Sequence, residues 1–144
     1  MKFAVLFLLA LAGCPQDPPP ACTMVDTSCT NLAYVPTFHN VYNNTIKVSC
    51  GIDDNSCHST AGHQGGLSFQ DGEMAAYTAL MQSAGLDPSR KRVVAGDPAC
   101  SLMIVRTEGV GKDYQMPKGD ALSPEARCAL VQWVEAGAMM GSAQ

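Results

Sequence analysis

Two thiols and an imidazole on one short stretch, Cys50-Gly-Ile-Asp-Asp-Asn-Ser-Cys57-His58, constrain this chain more than any other feature, because whatever they join must draw that stretch to one centre. A methionine sulfur follows much later, at Met116-Pro117. Sulfur and imidazole serve as ligands of haem iron and of zinc, and two thiols can oxidise to a disulfide. The usual haem-attachment spacing places two residues between the cysteines; this chain has six.

The N-terminus speaks about destination. Lys2 precedes a charge-free run from Phe3 to Ala12, too short to cross a bilayer and suited to the apolar part of an export signal. The run ends in Leu11-Ala12-Gly13-Cys14, which resembles the lipobox of bacterial lipoproteins. That resemblance implies a signal peptide over 1–13, acylation of Cys14, and an exported chain held on a membrane in the periplasm or at the cell surface. Pro15-Gln-Asp-Pro-Pro-Pro20 reads as a semi-rigid spacer, so 14–33 are expected to form a Pro-rich tether and 34–144 one domain.

Without Lys2 the chain keeps eight Lys and Arg against thirteen Asp and Glu, so it lacks the basic footprint of a nucleic-acid binder. No serine, histidine and acid arrangement suggests hydrolysis, and three histidines leave little for acid–base catalysis. Gly65-Gly66 lacks the strand–glycine–helix setting of a nucleotide loop. The expectation is therefore a protein that is not an enzyme. Once Cys14 is acylated, six cysteines meet an oxidising compartment. If Cys50 and Cys57 are otherwise engaged, the remaining four allow three disulfide connectivities, which the sequence does not separate. Pairing Cys22 with Cys29 in the tether and Cys100 with Cys128 in the domain is the arrangement we expect; the second would close a loop of about thirty residues and stabilise by roughly 3 to 4 kcal/mol.

Helical periodicity dominates the domain. Phe38, Val41, Tyr42, Thr45, Ile46 and Ser49 share one face of a helix that starts near Pro36 and runs into Cys50. Asp71 is placed to cap a second helix with Met74, Tyr77 and Met81 on one side and Gly85 as its stop. Asp97-Pro98 opens a short helix through Leu102 and Val105. Ser123-Pro124 opens the last, with Ala126, Leu130, Trp133, Val134 and Gly137 along a face. Arg92-Val93-Val94 is the one strand candidate. His39 is expected on a solvated face and His63 exposed beside Gly65-Gly66, while Met74, Met81 and Met103 fit apolar helix faces.

An all-α domain with an aromatic helix leading into Cys-His, a Met-Pro loop and an aromatic C-terminal helix resembles a class I cytochrome c, in the divergent form found in bacterial surface lipoproteins. The shared features stand here as Ser49-Cys50, Ser56-Cys57-His58, Gly65-Gly66-Leu67, Val93 to Pro98, Ser101-Leu102, Met116-Pro117-Lys118-Gly119 and Trp133 to Ala138. The resemblance implies a single covalent haem c, thioether bonds from Cys57 and Cys50, axial ligation by His58 and Met116, and first and last helices that cross, with Phe38 and Tyr42 meeting Leu130 and Trp133. It also implies an electron carrier that meets redox partner proteins. Lengthening the inter-cysteine loop from two residues to six costs only about 1 kcal/mol of closure entropy, and Asp53-Asp54-Asn55 is turn-forming material that lets the insert bulge. Two other readings use the same residues. In one, Cys50 and Cys57 form a disulfide and the protein is a haem-free lipoprotein acting as a binding or structural module; in the other, Cys50, Cys57, His58 and His63 hold zinc, which adjacent Cys57 and His58 make geometrically hard.

Overall fold

A computed structural model describes residues 18–51, 57–85 and 87–141. The signal segment 1–13, Cys14, the first tether residues 15–17 and residues 52–56 of the insert between the two motif cysteines lie outside the described residues. Among the described residues there are four helices and no strand, and no helix is long and apolar enough to cross a membrane.

The first helix, α1, is made of three consecutive segments: α-helical Phe38–Val41, π-helical Tyr42–Ile46 and α-helical Lys47–Ser49. Thr37 caps its start by accepting from the Asn40 N–H. The widened turn coincides with two side chains that compete for its carbonyls: the Asn43 and Asn44 amides donate to the carbonyls of His39 and Asn40, each at 2.9 Å. The periodic face nevertheless stays inward, with Phe38, Val41, Tyr42, Thr45 and Ile46 all buried.

Helix α2 is Glu73–Leu80, α3 is Leu102–Glu108 and α4 is Pro124–Glu135. Asp71 does not cap α2. Gly72, at φ 101°, holds that position, a conformation open to glycine and strained for other residues, while Asp71 accepts from the Thr60 hydroxyl. Met74 is also displaced from the expected apolar face: it is exposed, and Ala76 and Leu80 are the buried residues of α2. Helix α3 begins four residues later than Asp97-Pro98 suggests, because the Asp97 carboxylate caps a turn, accepting from the Cys100 N–H at 3.1 Å. The fully buried Ser101 hydroxyl then ties that turn together through Val94 and Asp97. Helix α4 starts as expected, with Ser123 accepting from the Ala126 N–H and Pro124 at the first helical position. Gly137 lies beyond the end of α4 at φ 98° and helps terminate it. Arg92-Val93-Val94 forms no strand; the nearby pairing is an isolated antiparallel bridge of Ser83 with Lys91.

The core is centred on the crossing of α1 and α4, where the Phe38 and Trp133 ring centroids lie 5.2 Å apart, and Tyr77 of α2 meets Phe38 edge-on at 5.0 Å. Helix α3 packs against α4.

The disulfides join Cys22 to Cys100 and Cys29 to Cys128, not Cys22 to Cys29 and Cys100 to Cys128. The reason lies in the path of the segment expected as tether. Arg90 donates to the carbonyls of Pro19, Pro20 and Ala21. The Thr23 N–H donates to Ala99, the Gln132 amide to Thr27 and Cys29, and the Ala33 N–H to Glu125. Residues 19–33 thus form a strap laid over the 90–100 segment and α4, and this path carries each cysteine to a partner distant in sequence rather than to its neighbour.

Candidate functional site

Helix α1 ends at Ser49, and the Cys50 that follows donates its N–H to the Ile46 carbonyl at 2.9 Å. The thiol packs against the core, and burial pushes it up to about 12. Cys57 is exposed, and both thiols are free. The disulfide that the haem-free reading placed between them is not formed in this structure. The two halves of the motif do meet in space: a Cβ built on Gly51 would lie 3.5 Å from the His58 carbonyl and only 3.0 Å from the Phe69 Cβ. Glycine after Cys50 therefore permits a backbone approach that a side chain would obstruct.

The segment after Cys57 folds back on itself. The Gln64 N–H donates to the Cys57 carbonyl at 2.7 Å, His63 donates to Ser59, and Phe69 donates to the His58 carbonyl at 2.9 Å. This closure sets the His58 imidazole, half-buried beside the Phe69 ring, with Nδ1 3.0 Å from the Gln64 carbonyl. A carbonyl can only accept, so Nδ1 carries the proton and Nε2 keeps the free lone pair, the tautomer and the second-shell contact of a metal-ligating histidine. Burial holds His58 below the ordinary histidine range; the Gln64 carbonyl pulls the other way, and the guanidinium charges of Arg106 and Arg92 add to the lowering. The imidazole thus favours its neutral form.

Arg92 sets the turn that carries this carbonyl. Nearly fully buried, its guanidinium donates to the carbonyl of Gly65 at 2.8 Å and to that of Ala79, at the end of α2, at 2.9 Å. Neither Gln64 nor Arg92 was marked by sequence reasoning. Gln64 acts through its backbone, so its residue type gives no signal. A lone guanidinium inside the apolar run Arg92-Val93-Val94 was the available one.

Met116 is half-buried on the loop after α3, its N–H donating to the Arg106 carbonyl at 3.0 Å. Arg106 therefore links the two candidate axial residues, reaching His58 through its charge and Met116 through its backbone. His63 is exposed, and His39 pairs with Glu73 at the surface. Among the described residues no three His, Cys, Asp or Glu side chains gather as a metal-holding group, so the zinc reading finds no preformed set in Cys50, Cys57, His58 and His63. No family model, no curated protein and no solved structure matches the chain.

The burial of Cys50 makes the thiols chemically distinct. Burial keeps the Cys50 thiol protonated at pH 8, and the thiolate is the nucleophile. Iodoacetamide applied to the folded chain before any attachment is expected to modify Cys57 and spare Cys50, as read by peptide mass mapping. Equal labelling of both would place the Cys50 thiol in solvent.

Proposed function

We propose that this protein is a membrane-tethered c-type cytochrome-like electron carrier with one covalent haem, passing single electrons between redox partner proteins outside the cytoplasm. The observation that carries the reading is the His58 Nδ1 contact with the Gln64 carbonyl, which leaves Nε2 as the free ligand atom directly after Cys57. The remaining residues suit the same group: Cys57 and Cys50 would hold it through their thiols, and His58 and Met116 would supply nitrogen and sulfur ligands to its iron. Bound there, haem c supplies a one-electron couple, ferric iron being reduced by a donor protein and reoxidised by an acceptor. The chain's own contribution is to keep His58 neutral and oriented, and ligation of the iron by both His58 and Met116 would favour electron transfer over oxygen chemistry. Export and lipidation at Cys14 rest on the N-terminal pattern.

A second reading is favoured by the two long-range disulfides, which staple the domain without help from Cys50 or Cys57. It takes the protein as a haem-free structural or binding module. Denaturing mass spectrometry of the chain, expressed where cytochrome maturation operates, separates the two: a haem-sized increment is expected, and a mass explained by lipid and disulfides alone would defeat the carrier reading. With haem attached, replacing Met116 by a residue lacking sulfur is expected to shift the absorption spectrum and lower the potential, since thioether ligation favours ferrous iron. An unchanged spectrum and potential would remove Met116 as the distal ligand.

A further inference from the structure

The loop that presents Met116 is organised by one side chain. Gln115 is buried, and its amide makes three hydrogen bonds: Oε1 accepts from the Gly111 N–H at 2.7 Å, while Nε2 donates to the carbonyls of Pro117 at 3.0 Å and Gly119 at 2.9 Å. These contacts fix which end of the amide is nitrogen, since the reverse orientation would set an oxygen against two carbonyls. One amide thus ties the chain before Met116 to the chain after it. Gly111 and Gly119 stand at φ 74° and 101° with open space where a Cβ would be, so these glycines serve the turns by which the backbone reaches Gln115. The Lys118 ammonium adds an outer contact to the Asp113 carbonyl.

We infer that Gln115 is the positioning residue of the distal ligand, holding the Met116 loop in the shape that presents sulfur; this rests on the electron-carrier reading above. Loss of the amide removes three hydrogen bonds from the loop, and the sulfur then dissociates more readily. Because the side chain acts within its own loop, the helices and disulfides remain in place when it is changed.

The test uses the haem-loaded full chain with Gln115→Leu and Gln115→Glu, and imidazole as a competing sixth ligand. With Gln115→Leu, imidazole affinity is expected to rise about tenfold, the equilibrium value of one such bond, and the near-infrared thioether-to-ferric-iron absorption to fade. Hydrogen exchange at Gly111 is expected to accelerate at the same time. Gln115→Glu keeps an acceptor for Gly111 but turns a carboxylate oxygen toward Pro117 and Gly119, so Gly111 protection is expected to survive while imidazole affinity still rises. Imidazole affinity within twofold of the parent in both variants, with haem attached, would overturn the assignment alone. A parent chain that carries no haem would overturn the carrier reading and this assignment together.

Discussion

Removing the Cys29–Cys128 disulfide by the double change Cys29→Ala and Cys128→Ala is expected to destabilise the domain by about 4 to 5 kcal/mol. The two cysteines stand 99 residues apart, so the bond closes nearly the whole domain into one loop and stabilises by about 1 kcal/mol more than a loop of about thirty residues would. Cys22–Cys100, at a separation of 78, acts in the same sense. A domain of this size has a total stability of about 5 to 15 kcal/mol, so the first loss leaves it marginal and reduction of both bonds is expected to unfold it near body temperature. Guanidinium denaturation of parent and double variant measures the difference, and a loss below about 1.5 kcal/mol would mean that the strap stays bound without its covalent tie. A non-reducing digest that yields Cys22 joined to Cys29 would refute the connectivity itself.

What the sequence revealed follows a physical division. Apolar periodicity is a property of side chains, and it located α1 from Phe38 onward and α4 from Ser123-Pro124 because both bury one continuous face. Features that depend on the backbone were hidden. The π-helical turn at Tyr42–Ile46 leaves the buried face unchanged, so hydrophobicity does not report it. Asp71 and Gly72 are adjacent, and the choice between them is made by the positive φ of the chain, not by the better capping side chain. The motif Cys50, Cys57, His58 and Met116 was legible as residue types, whereas the atoms that orient His58 belong to the Gln64 carbonyl and, one step further out, to Arg92. Disulfide pairing was hidden for a third reason. It depends on where the 19–33 strap runs, and that path is set by hydrogen bonds such as those from Arg90 to three carbonyls of the Pro-rich segment.

Trp133→Ala is expected to cost about 3 to 5 kcal/mol, the range for truncating a large buried aromatic side chain. The indole is 2% exposed, lies against Phe38 of α1, and donates its Nε1 hydrogen to the Met139 carbonyl at 2.9 Å. The void falls where α1 and α4 cross, and no neighbour can close it without moving a helix that the Cys29–Cys128 bond holds in place. The effect extends to the candidate site, because α1 runs directly into Cys50 and its last turn is secured by the Cys50 N–H bond to Ile46. Loosening the crossing frees that turn, so hydrogen exchange at Cys50 is expected to accelerate in the variant, and iodoacetamide, which spares this thiol in the parent, to reach it. Trp133→Phe keeps the ring contact and loses mainly the Met139 hydrogen bond, which predicts a smaller loss and a still-protected thiol. Denaturation midpoints and Cys50 labelling measured on the three chains test both links: a Trp133→Ala chain within about 1 kcal/mol of the parent would show that the crossing does not carry the fold, and a destabilised chain with Cys50 still protected would show that α1 holds its end of the motif without α4.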